Sequence, residues 1–285
     1  MSEKLNQLKE ILGVVSDLNH AGSVLSWDQQ VNMPPGGGEA RGQQLATLGK
    51  IAHERSTSDE VGKLLDELKK EFAGSDSDES AMIRVAARNY DKATRVPAEF
   101  VAEQSIVTTA AFEAWVEAKG KSDFSIFRPH LEKVVGLVQK YISFFPPADH
   151  PYDILLDDYE PGMKTAEVQE IFGSLRPKQV ELIKQISSAK QVKDDFLHKK
   201  YNEKKVWGFS EIIIGRFGYD FSRGRQDKAA HPFETSFSVD DVRITNRFEP
   251  ENPLATFFSG MHESGHAMYE QGVNPAYERT PLAGG

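Results

Sequence analysis

The chain has 285 residues, enough to bury a sizeable core, and its 39% hydrophobic and 27% charged content is ordinary for a globular protein. A net charge of −9 disfavours nucleic acid as a partner, and the absence of cysteine excludes disulfides, thiolate metal ligands and cysteine nucleophiles. No apolar run reaches the length of a membrane span and Met1-Ser2-Glu3-Lys4 opens no signal-peptide core, a combination compatible with a cytoplasmic protein.

The first predicted element is a helix over Lys4 to His20, with Leu5, Leu8, Ile11, Leu12, Val15 and Leu18 at helical spacing. Trp27 to Gly38 reads as a turn-rich connection because Pro34, Pro35 and three glycines crowd its end. A long helix from Glu39 to Phe72 follows, with a break near Ser56 to Ser58, and a polar loop at Gly74 to Ser77 opens another through Tyr90. Pro97 suits the first turn of the next helix, which runs to about Lys119. The spacing then predicts helices over Phe124 to Phe144, Thr165 to Ser188 and Asn202 to Phe217. Gly173 and Pro177 are placed to kink or split the second of these, and Gly218 ends the third.

Beyond Gly218 the period changes from helical to alternating. Phe233, Thr235, Phe237 and Val239, then Val242, Ile244, Asn246 and Phe248, predict a β-hairpin turning at Asp240-Asp241. Its edge is a place where an extended peptide can add as a further strand. The expected fold is mostly α, a helical bundle with a small β-hairpin or sheet beside the last helix. It forms a single domain, with a helical region over 1–218 and the hairpin and last helix over 219–285.

That last helix starts at Asn252-Pro253, a capping side chain followed by a first-turn proline, and Gly272 is placed to stop it. Leu254, Phe257, Phe258, Met261, Gly265, Met268 and Tyr269 form its apolar stripe. Beside that stripe runs His262-Glu263-Ser264-Gly265-His266, an H-E-x-x-H motif expected by chance in about 1% of chains of this composition. Histidines at i and i+4 can both reach one Zn²⁺, and the glutamate between them can act as general base on a water held there. Lying next to the stripe, His262 and His266 are expected to face a semi-buried groove. A catalytic zinc needs a third protein ligand. Glu270 lies on the same helix, where closure around a tetrahedral ion is difficult, and Glu278 would have to fold back from the following loop. The metzincin pattern fails, since Tyr269 and Gly272 stand where it needs glycine and histidine.

Three ordered motifs, His231-Pro232-Phe233, Asp241-Val242-Arg243-Ile244-Thr245 and the H-E-x-x-H run, resemble those of the M32 metallocarboxypeptidases, the carboxypeptidase Taq family. Trp27-Asp28-Gln29 with Met33-Pro34, and Leu155 to Met163, are weaker similarities. The resemblance implies a zinc enzyme, with Co²⁺ accepted in some members, that works as a homodimer. It implies release of single residues of broad type from the free C-terminus of peptides. It makes His262 and His266 metal ligands and Glu263 the base, with His231, Asp241, Arg243 and Thr245 near the site. Asp241 and Arg243 share one strand face and can form a structural ion pair. Alternatively, Asp241 orients a ligand histidine and Arg243 grips a substrate carboxylate. His231 caps a turn or joins the site, while Trp27-Asp28 and Tyr159 to Gly162 read as packing and turn elements. Family members are longer and place their third ligand, a glutamate, in a later H-E-S-x-S-R motif. The run Pro281 to Gly285 resembles the segment leading into it, so this chain is expected to be truncated ahead of that ligand. The remaining alternatives are a catalytically incomplete helical fragment and a zinc endopeptidase with a downstream glutamate.

Overall fold

The computed structural model describes residues 2–283, so Gly284 and Gly285 of the family-like terminal run lie outside the described residues. The protein is mostly helical with one small sheet. Its contacts gather into two compact units, one made of the chain up to Val134 and from Leu197 onward, the other of Val135–Phe196.

In the first unit, α1 (Glu3–Val31), α3 (Asp59–Glu71) and α4 (Asp78–Ala93) enclose a core of Leu5, Leu8, Val61, Leu64, Leu65, Leu68, Met82 and Ile83. Ser58 and Ser77 cap α3 and α4 through their hydroxyls, each satisfying a first-turn N–H. α2 (Gly38–Ser56) lies between α1 and α5 (Ala98–Lys121). The break expected near Ser56 to Ser58 is the α2–α3 boundary. α1, however, runs on through Trp27-Asp28-Gln29, where a turn was expected. Nothing before Pro34 interrupts the helix. Its last turns are held by Trp27, only 7% exposed, and by a 2.7 Å ion pair from Arg41 of α2 to Asp28. The turn is confined to Pro34–Gly37.

α6 (Phe124–Ile142) leads into the second unit, which holds α7 (Tyr152–Leu156) and α8 (Thr165–Ser188). α8 is one continuous helix despite Gly173 and Pro177, the proline forfeiting its own N–H bond. The buried Asp153 of α7 accepts from the N–H and hydroxyl of Thr165 at 2.8 and 2.6 Å, which secures the first turn of α8. Tyr159 to Gly162 is a turn closed by the Gly162 N–H on Asp157, 2.8 Å away.

Back in the first unit, Asn202 caps α9 (Glu203–Phe217), and Gly218 ends it in a positive-φ conformation (φ 121°) that a side chain would strain. The sheet is ordered β1–β3–β2, with β1 (Gln226–Lys228) parallel and β2 (Glu234–Ser238) antiparallel to β3 (Asp241–Asn246). The hairpin is as expected. β1 was missed because three residues carry no periodicity.

Alternation along β3 sorts its side chains onto two faces. Val242 and Ile244 turn towards α10 (Pro253–Gln271) and form a second core with Ile214, Tyr219 and Ala267. Asp241, Arg243 and Thr245 belong to the other face, where the Arg243 guanidinium lies 4.4 Å from the Trp27 ring of α1.

α10 begins as expected, with the Asn252 side chain accepting the Ala255 N–H and Pro253 in the first turn. Its buried face is a different one. Thr256, Gly260, Glu263, Ser264, Ala267 and Gln271 are buried, whereas Phe258 and Tyr269 of the anticipated stripe are 60% and 62% exposed. Small residues win because they let the helix backbone lie close to its neighbours. A Cβ at Gly260 would stand 2.8 Å from Ser210 Oγ, 2.9 Å from Asn246 Nδ2 and 3.1 Å from Ile214 Cδ1.

Three outcomes follow from this packing. Gly260→Ala is expected to lower stability by about 1–3 kcal/mol through overpacking, read as a fall in the denaturant midpoint. Asp153 is held at a pKa of about 2, first by the Thr165 hydroxyl and then by its N–H. Its folded pKa lies below the unfolded value of about 3.9, so its contribution is present above pH ~4 and fades as pH falls towards ~2. Asp153→Asn should therefore destabilise at pH 7, with the gap from the parent chain closing near pH 2. Finally, α8 leaves Ile171, Phe172, Leu175, Leu182, Ile183 and Ile186 exposed, a patch that favours association. Phe172→Glu with Ile183→Glu should reduce hydrophobic-dye binding and shift sedimentation towards monomer at unchanged thermal stability.

Candidate metal centre

With α10 lying on β3 through its small and polar residues, the helical rotation of roughly 100° per residue decides where the motif points. His262 and His266 emerge on the far side of α10 and are exposed, rather than lining a semi-buried groove. Glu263 stands at the border of the buried face and is 8% exposed. The histidine rings are nearly perpendicular (84°), with centroids 4.8 Å apart.

Their Nε2 atoms approach to 3.3 Å. Two ring nitrogens can share one proton at that distance. It is also the edge of a tetrahedron whose centre lies 2.0–2.1 Å from each corner, about 3.3–3.4 Å, so the same pair can close on one zinc-sized cation. The spacing of the two nitrogens therefore fits a zinc-sized cation.

Among the described residues no further histidine, aspartate or glutamate completes a three-ligand group. Glu270 turns to the sheet and hydrogen-bonds Ser236. Glu278 accepts the Val239 N–H at 2.7 Å. Neither considered substitute is free for the metal.

The H-P-F segment reaches the site from the other direction. His231 lies close enough to Glu263 for its charge to act on that carboxylate. Its ring meets Trp115 of α5 edge-on at 6.4 Å, and Lys119, one turn later on α5, donates 2.6 Å to the Ala230 carbonyl. Thr245 holds the same segment from β3, its hydroxyl oxygen accepting the Phe233 N–H at 2.9 Å.

Asp241 and Arg243 do not reach the centre. Arg243 makes a fork-to-fork pair with Asp241 (2.7 and 2.8 Å) and is held between Trp27 and Phe237. Both sit on the sheet face opposite α10, so neither orients a histidine and the guanidinium fork is already filled. The structural ion pair is the arrangement found.

Sequence reading missed Glu234, which directly follows the H-P-F run. It lies on the α10 face of β2, paired in register with the fully buried Ile244. Its main-chain N–H bonds the Glu263 carboxylate. Its own Oε1 is enclosed with no hydrogen-bond partner, an arrangement that typically costs about 1–3 kcal/mol. Burial pushes the Glu234 carboxyl up to about 7, aided by the charges of Glu270 and Glu263. Burial likewise raises Glu263, against the pull of His262, His266 and His231. No local signal marked it, since the alternation of Phe233, Thr235 and Phe237 puts Glu234 on the polar face of its strand.

Comparison with known proteins gives the arrangement a context. The carboxypeptidase Taq (M32) metallopeptidase family model matches residues 7–285. The chain is 32% identical over 277 residues to carboxypeptidase 1 of Bacillus subtilis, covering 97% of this chain and 55% of that protein. It is 36% identical over 271 residues to thermostable carboxypeptidase 1 of Pyrococcus furiosus, covering 94% and 54%. The crystal structure of BsuCP superposes with a TM-score of 0.95 at 31% identity, over 99% of this chain and 57% of that one. An M32 carboxypeptidase from Deinococcus radiodurans R1 does so at 0.85 and 37%, over 100% and 57%. The chain thus spans about half the length of the curated relatives it matches. With the likeness running over almost every residue and through both the fold and the H-E-x-x-H helix, the chain belongs to the carboxypeptidase Taq (M32) metallopeptidase family.

Proposed function

We propose that the chain carries the paired-histidine and general-base side of a zinc carboxypeptidase centre, which removes single residues of broad type from the free C-terminus of peptides. Membership of a metallopeptidase family implies a metal and a peptide substrate. The observation that carries the rest is the 3.3 Å approach of His262 Nε2 to His266 Nε2 beside a buried Glu263. Zinc is favoured over harder cations by imidazole donors, and Co²⁺ suits the same pair. A zinc ion held there supplies Lewis acidity towards the scissile carbonyl and lowers the pKa of water.

Glu263 takes the proton from the attacking water and returns it to the departing amine. Its burial serves the first half of that cycle, since a carboxylate with a raised pKa is a stronger base towards the attacking water. The Glu234 N–H keeps the carboxylate in register with the helix. His231, anchored by Trp115 and Lys119, adds a polar group on the same side. Recognition of the substrate carboxylate is not a role for Arg243, whose fork is filled by Asp241. Addition of a peptide strand at the outer edge of β2 has to start past Glu234, whose N–H is already engaged. Homodimer formation rests on the family likeness alone.

Calorimetric titration with zinc is the test. The chain, with two of the three protein ligands that a catalytic zinc needs among its described residues, is expected to bind zinc weakly, His262→Ala to lose that binding, and Glu263→Gln to keep it. No zinc uptake by the parent chain would sink the metal-binding reading of these residues. In the protein with hydrolytic activity, Glu263→Gln should lower kcat by at least about 100-fold. Cleavage of peptides blocked at the C-terminus would move the assignment to an endopeptidase.

A further inference from the structure

α10 exposes five residues, Phe258, His262, Gly265, His266 and Tyr269. At about 100° and 1.5 Å per residue they share one arc of roughly 100° over a length of about 16 Å. Apart from the histidines, none of the five can carry a charge near neutral pH. The order along the stripe is close to symmetric, with Phe258 four residues before the first histidine and Tyr269 three after the second. Gly265 sets no side chain beside the imidazoles, and a Cβ built there meets nothing within 4 Å. Both aromatic rings, 60% and 62% exposed, are apolar surface that water covers at a cost.

Two imidazoles supply two corners of a tetrahedron. Their Nε2 atoms stand 3.3 Å apart, the length of one tetrahedral edge around zinc. Among the described residues no third histidine, aspartate or glutamate joins them. A second copy of the same stripe supplies the two remaining corners, because a two-fold axis through the ion brings an equal pair of nitrogens to it. With the two helices antiparallel across that axis, Phe258 of each copy comes almost level with Tyr269 of the other, an aromatic contact on either side of the ion. The stripe is one helix wide, far below the ~800 Å² per partner of a stable interface. A net charge of −9 on each copy also opposes contact. The pair therefore needs the cation to hold it.

We propose that this stripe is a zinc-dependent self-association site, in which one Zn²⁺ is held by His262 and His266 from each of two copies of the chain. The inference rests on the metal-binding reading above and gives that face a second use. Four imidazoles close the coordination of a tetrahedral ion, as in structural zinc sites, and leave no open position for water. Glu263 then has no bound water to act on, so the paired form holds zinc without hydrolysing peptides. A carboxylate delivered to either histidine pair as a third ligand competes with the second copy for the same place. Pairing and catalysis are therefore mutually exclusive on this helix.

The test is sedimentation velocity of the full chain with zinc chloride, set beside calorimetric titration with the same salt. Half an equivalent of zinc is expected to raise the dimer fraction and EDTA to reverse it. A large excess of zinc should lower it again, as each copy takes its own ion. Calorimetry at high protein concentration should give about 0.5 zinc per chain. Association through α8 is the same in zinc and in EDTA, so the difference between the two isolates this site. His266→Ala should abolish the zinc-dependent step, and Phe258→Ser with Tyr269→Ser should weaken it about 10-fold. Both leave the metal-free Tm unchanged, because these side chains are exposed. A dimer fraction indifferent to zinc, or one zinc per chain on a monomer, overturns the inference and leaves the metal-binding reading standing. Zinc-driven association that survives His266→Ala also overturns it. No zinc uptake at all removes both.

Discussion

The centre depends on how closely α10 can lie against β3. Gly260 removes the side chain that would hold the two apart, and directional polar contacts then fix the helix in rotation. Asn246 Nδ2 donates 2.9 Å to the Thr256 carbonyl, and Thr256 Oγ1 donates 3.1 Å to the Arg247 carbonyl, near the start of the helix. At its end, Gln271 donates to the Asp220 carbonyl and accepts the Asp220 N–H, at 3.0 and 2.9 Å. Apolar contact alone tolerates rotation about the axis, whereas hydrogen bonds lose strength steeply when misaligned. With both ends tied, His262 and His266 are held outward and Glu263 stays at the boundary. A turn of one residue would bury a histidine and expose Glu263.

The sheet separates two functions that its sequence runs together. Its α10 face carries Glu234, whose carboxyl feels the charges of Glu263 and Glu270. Its α1 face carries Arg243, paired with Asp241 and stacked on Trp27, in a setting where the arginine side chain is 20% exposed. A bidentate pair against an aromatic face is rigid, and it ties β3 to the long first helix. Thr245 adds a link from β3 to the H-P-F segment. The three named side chains of the D-x-R-x-T motif therefore stay on the face away from α10, where they tie the strand to α1 and to the H-P-F segment. Proximity of motifs along the chain is no guide to proximity of their side chains, because adjacent strand residues face opposite ways.

Helices with a strong apolar period, such as α3 and α4, were legible to within three residues, as were the hairpin and the cap at Asn252. The reading failed where tertiary contact overrode local composition. α1 persists through Trp27 because a buried indole and the Arg41–Asp28 pair hold it, and neither can be seen in the local sequence. β1 exists only because β3 offers it a partner. At the site, His262, Glu263 and His266 were legible as a spacing and His231 only as part of a resemblance. Trp115 and Lys119 lie more than a hundred residues from the segment they grip, with no local mark to connect them.

The error on α10 has a more general cause. Reading an amphipathic helix by its apolar stripe assumes that the apolar face is the one covered. On α10 the covered face is the row Thr256, Gly260 and Ser264, spaced by four, with Ala267 and Gln271 beside it. Such a row forms a shallow groove that accepts a neighbouring ridge at short range. Close approach increases the contact made by every atom along it, and its polar groups are partnered, Thr256 by the Arg247 carbonyl and Ser264 by the Met261 carbonyl of its own helix. Burial of Glu263 depends on the same arrangement. A bulky apolar seam would have held α10 farther from β2, out of reach of the Glu234 N–H, and left Glu263 in water with an ordinary carboxylate pKa.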